Sequence, residues 1–130
     1  MPKISSVVEV DGTPYIAKFM TVQGTRLGNE DHGILTFLLD CKDDNGNAVG
    51  VGGYTLDAPV PGERHRAPTA SGFALIIEVM RTVGADSWED IRGKNILVLF
   101  ENSRSVGIAN PLTGKVLVFG KFLEGFKDKG

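Results

Sequence analysis

Residues 34–41, Ile-Leu-Thr-Phe-Leu-Leu-Asp-Cys, constrain the fold more than any other stretch. Leu35, Phe37, Leu38 and Leu39 occupy both alternating positions, so a strand here is apolar on both faces. Such a strand needs cover on both sides and belongs in the middle of a sheet. Asp43-Asp44-Asn45-Gly46-Asn47 follows, and Asn-Gly supplies the positive φ angles of a tight hairpin turn. The return strand is Ala48 to Leu56. It carries Gly50, Gly52 and Gly53, which weaken a strand unless a bulge or a close neighbour needs the space. Cover comes from a helix over Ala70–Val83. Pro68 stands just before it, Thr69 or Ser71 caps it, and Gly84 ends it. Phe73, Ile76, Ile77, Met80 and Val83 share one face at helical spacing.

The other segments extend the sheet. Val7–Val10 and Tyr15–Val22 read as a hairpin around Asp11-Gly12, and residues 24–33, polar and glycine-rich, read as a loop. Ser87-Trp88-Glu89-Asp90 reads as a short capped turn, with Asp90 reaching back to the Ser87 amide and Trp88 packed in the core. Asn95–Phe100 is a further strand, and Val106–Ala109 pairs with Lys115–Phe119 around Pro111 and Gly114. The fold class is therefore α+β: a mostly antiparallel sheet of about six or seven strands, one main helix and one short helical turn. Residues 1–125 form a single domain and 126–130 a charged, frayed tail.

Composition narrows the function classes. The chain has 130 residues, 42% hydrophobic and 23% charged, enough for one core without metals or disulfides. A net charge of −2 argues against a duplex nucleic-acid clamp, which needs a strong basic excess. The lone Cys41 forms no intrachain disulfide, suiting a reducing cytosol, and sits in a strand where burial is expected rather than reactivity. No apolar run is long enough for a bilayer span, and the first residues lack a signal-peptide pattern.

The candidate site lies in residues 50–73, where a glycine-bearing strand enters a basic loop and then the helix start. Unpaired N–H groups and a partial positive charge at a helix N-terminus hold anions. Arg64, His65 and Arg66 add charge, Thr69 and Ser71 offer hydroxyls, and Gly72 lets a backbone approach closely. Gly53 and Tyr54 add close approach and an aromatic face for a base, and Asp57 a partner for a ribose hydroxyl. The competing reading is an exposed basic loop before an ordinary capped helix, with Asp57 capping the Ala-Pro turn and Tyr54 in the core or at its rim. Neither a P-loop nor a dinucleotide-binding spacing is present. A secondary candidate is Asp31 with His32, a general base or a weak cation site. Its alternative is a strand-entry loop in which His32 bonds to backbone. With two histidines and one cysteine, no closed zinc-type centre is expected. No cofactor is implied.

Three blocks, Leu27-Gly28-x-x-Asp31-His32-Gly33-Ile34-x-Thr36, Gly52-Gly53-Tyr54-x-Leu56-Asp57 and Gly84-x-Asp86-x-Trp88-Glu89-Asp90-x-x-Gly93-Lys94, together resemble small proteins encoded by bacteriophages and prophages. The likeness spans roughly residues 27–120. Those proteins tend to read Arg-x-Gly-Thr-Ala-x-Gly at the helix start, whereas this chain reads Arg66-Ala67-Pro68-Thr69-Ala70-Ser71-Gly72. The resemblance implies a phage protein acting in a bacterial cytosol. The leading expectation is a binding protein that sequesters a phosphorylated small molecule or nucleotide signal. The alternatives are an effector that binds a host protein or serves phage replication or assembly, and a hydrolase using Asp31 and His32. Strand edges leave a homo-oligomer open.

Overall fold

The structure is a computed structural model and describes residues 5–31 and 33–128. The strands are β1 (Ser5–Val10), β2 (Thr13–Asp31), β3 (Ile34–Lys42), β4 (Ala48–Thr55), β5 (Asp57–Pro59), β6 (Arg66–Pro68), β7 (Asn95–Glu101), β8 (Arg104–Ala109) and β9 (Val116–Val118). Helix α1 (Ala70–Val83) precedes β7, a 3-10 turn spans Glu89–Ile91, and α2 (Phe119–Asp128) follows β9. The main sheet runs β4-β3-β2-β7-β8-β9, with β1 also on β2, while β5 and β6 form a separate small hairpin. Every pairing is antiparallel. This is the expected α+β architecture with β3 inside the sheet.

Residues 24–31 are not the loop their composition suggests but the second half of the 19-residue β2. Partners on β3 override local preference: Thr25 lies opposite Leu39 and Leu27 opposite Phe37. A register shift between Val22 and Gly24 breaks β2 in two. Its first half pairs with β7, Ile16 opposite Phe100, and its second half with β3. A bulge of this kind bends a strand and increases twist. Four successive antiparallel steps leave β4 and β8 running in the same direction, and these two strands lie side by side. Ser105 Oγ donates to the Gly50 carbonyl at 3.1 Å across that seam. Strands β4-β3-β2-β7-β8 thus wrap into a partly open five-stranded barrel. Phe119, fully buried, enters the core near the seam, its ring centroid 5.7 Å from that of Phe37 and 5.3 Å from that of Tyr54 on β4.

The β4 glycines serve the barrel. Between Thr36 and Leu38 the β3–β4 register slips by one residue, which puts a bulge at Gly52-Gly53. Gly52 has φ +119°, and a Cβ there would stand 2.8 Å from the Phe37 carbonyl oxygen. Helix α1 covers the barrel interior through Gly72, Leu75, Val79, Thr82 and Val83. The buried stripe is rotated from the expected one: Phe73 is 68% exposed, because Gly72 rather than Phe73 faces the chain leaving β4. In the turn after β3 only Gly46 takes a positive φ, since Asp43 Oδ1 accepts from the Asn45 and Asn47 amides and shapes a longer loop. The Glu89–Ile91 turn has no side-chain cap, and Asp90 contributes its amide to the Ser87 carbonyl instead. Trp88 packs edge-on against Phe37 as expected, its Nε1 buried and without a partner among the described residues. The C-terminal segment is helical through 126–128.

Candidate functional site

The basic loop folds back on its own acid. β5 and β6 set Asp57 opposite Pro68 and Pro59 opposite Arg66. Arg66 Nε donates to Asp57 Oδ1 at 2.9 Å, and a second guanidinium nitrogen donates to the Asp57 carbonyl at 3.3 Å. Asp57 Oδ2 accepts from the Leu35 amide at 3.3 Å, so the carboxylate joins the hairpin to the start of β3. Asp57 therefore clamps two elements rather than capping the Ala-Pro turn. Its side chain is 11% exposed and that of Arg66 25%.

The helix start is also internally occupied. Thr69 Oγ1 accepts from the Gly72 amide at 3.0 Å and donates to the Leu56 carbonyl at 3.1 Å. Ser71 Oγ lies 3.5 Å from Thr69 Oγ1. Gly72 is buried against the Leu56 backbone, so its missing side chain admits protein rather than ligand. Arg64 and His65 are exposed, His65 Nδ1 lying 3.8 Å from Glu63 Oε2. Gly53 is exposed, and Tyr54 is half-buried against Phe119. The structure thus gathers Asp57, Arg66, Thr69, Ser71 and Gly72 at the helix entry, and Gly53 and Tyr54 belong to the neighbouring bulge. Arg66→Ala is expected to lower stability by roughly 1–3 kcal/mol, because a nearly buried carboxylate loses its cation. Urea unfolding of R66A, D57A and the double variant checks this, the double variant losing less than the sum of the singles.

His32 and the Asp31 side chain lie outside the described residues. Among the described residues no group of three or more His, Cys, Asp or Glu is placed to hold a metal, and no helix is long and apolar enough to cross a membrane. Cys41 is buried. Burial, then the neighbouring Asp40 charge, pushes its thiol up to about 12, so it carries no thiolate at neutral pH. The third sequence block forms an open depression at the foot of α1, with Asp86, Asp90, Arg92 and Lys94 around it.

Sequence reading missed a second surface, the outer side of the barrel at β2, β3 and β4. Register aligns Gly24, Asp40 and Gly50 in one row and Arg26, Leu38 and Gly52 in the next. Across the seam Ser105 bonds to the main chain of Gly50, and Arg104 is exposed one residue earlier. Arg26 Nε lies 4.0 Å from Asp40 Oδ2, with both side chains solvent-accessible. The signal was dispersed: these residues come from four strands that only the register unites. No family model matches the chain, and neither a curated protein nor a solved structure does.

Proposed function

We propose that this chain is a binding protein that holds single-stranded nucleic acid across the outer face of β3 and β4. The observation that supports this most is the strand path: a five-stranded, partly open barrel, with α1 between its third and fourth strands and β4 brought back to β8 through Gly50 and Ser105. That is the architecture of oligonucleotide- and oligosaccharide-binding barrels, which use the face of their second and third strands and the loops flanking it. Here the corresponding strands are β3 and β4. The flanking turns are those after β2 and between β7 and β8, and the exposed Arg26 on β2 and Arg104 at the start of β8 are the phosphate contacts this reading assigns. A net charge of −2 agrees with a local track for one strand and not with a duplex clamp. The resemblance to phage-encoded proteins agrees with a role in phage replication. A phosphorylated small molecule at Arg64–Gly72 has less support, since Arg66 and Thr69 already hold Asp57 and Leu56.

Fluorescence anisotropy with a labelled DNA strand of about 10 nucleotides, within the footprint of one such barrel, tests the proposal. Binding is expected to fall steeply with salt. Replacing both Arg26 and Arg104 with alanine should weaken it about tenfold or more and flatten the log–log salt slope by about 1.4, at about 0.7 per lost phosphate contact. A chain that leaves single strands untouched at low salt, or binds duplex equally well, contradicts the reading.

A further inference from the structure

Resting on that reading, we infer that Asp40, with Arg26 beside it, reads the Watson–Crick edge of one base and favours cytosine over thymine. A carboxylate in the middle of a surface meant for phosphates is otherwise unfavourable, since it repels the backbone it should attract. The row neighbours of Asp40, Gly24 and Gly50, carry no side chains; the Asp40 carboxylate leans over Gly24, and the Leu38 side chain lies over Gly50, leaving the carboxylate approachable from the Gly24 side. The Arg26 pairing is long, 4.0 Å, and leaves acceptor capacity on the carboxylate and donor capacity on the guanidinium. Leu38, half-buried between Arg26 and Gly52 in the register, supplies an apolar contact for the ring face.

Those groups complement cytosine. Its N4 amino group donates to a carboxylate, the pairing acidic side chains make with this base, and its N3 and O2 accept from those of the five Arg26 N–H donors that a phosphate contact leaves free. Thymine sets a carbonyl on each side of its single N3–H, and both repel a carboxylate. The edge being read is engaged in a duplex and open in a single strand, which ties base choice to strand state.

Competition between oligo-dC and oligo-dT of equal length tests this in wild type and Asp40→Ala. The wild type should prefer oligo-dC by about tenfold, within the range of one good base contact. In Asp40→Ala, whose site is exposed enough to leave the melting temperature unchanged, oligo-dC affinity should fall to that of oligo-dT. Oligo-dT affinity should hold or rise, as a negative charge has gone. Equal wild-type affinities, or a preference that survives in Asp40→Ala, overturn the assignment while leaving single-strand binding in place. Failure to bind either strand removes the parent reading and this one with it.

Discussion

Gly72→Ala is expected to prevent stable folding, with a loss beyond about 4 kcal/mol, in the class of changes that exceed ordinary core substitutions. A Cβ at this position would sit 2.2 Å from the Leu56 carbonyl oxygen and 2.7 Å from its Cα and carbonyl carbon. All three are main-chain atoms, so no side-chain rotation relieves the overlap. The helix would have to back away from the strand exit, and that movement breaks linked contacts. Thr69 would lose its hold on the Leu56 carbonyl, and α1 would lift Leu75 and Val79, both fully buried, off the barrel. Circular dichroism with urea titration reads the outcome directly. A variant that melts within a few degrees of wild type would show that the contact is looser than these distances imply.

Phe119→Ala is the second large effect, about 3–5 kcal/mol, the usual cost of emptying a fully buried phenylalanine site. The ring lies between Phe37 and Tyr54, so its loss leaves a void between β3 and β4 near the seam. Neighbouring rings cannot simply collapse into it. Phe37 is held by the edge-on Trp88 ring and by the close approach of Gly52. The single tryptophan offers a specific readout: its emission should shift toward that of a wetter indole in Phe119→Ala before global unfolding. Phe119→Leu should recover part of the loss, since the hole is then partly filled.

How much of this was legible depended on how local the determinants are. The strand at Ile34–Cys41, the helix from Ala70 to Val83 and a cap at Thr69 or Ser71 are written in short-range patterns, and the fold honours them, with Thr69 as the cap. Residues 24–31 are strand only because β3 lies beside them, and nothing in Gly-Thr-Arg-Leu-Gly-Asn announces that partner. Helix α2 was detectable: Phe119, Phe122, Leu123 and Phe126 recur at helical spacing, but the strand reading of Lys115–Phe119 claimed its first residue. For the basic loop, charge alone could not reveal that Asp57, nine residues from Arg66, neutralises it. The barrel face was hidden more deeply, since Arg26 and Asp40 are 14 positions apart, and β8 joins β4 only after the sheet curls.

The broken strand β2 also sets an order of events during synthesis. Its second half finds β3 within a few residues, so that ribbon forms as soon as both have emerged. Its first half pairs on one edge with β1, already made, while the other edge waits for β7, with Ile16 opposite Phe100 and Thr21 opposite Asn95. Until that distant segment leaves the ribosome, one flank of β2 exposes unpaired main-chain groups. Barrel closure is therefore a late step dominated by long-range contacts, which fold slowly and are prone to adhesion between nascent chains. A chain interrupted before β7 would hold the partners for the β1–β2, β2–β3 and β3–β4 ladders, with an open flank on β2 and no barrel.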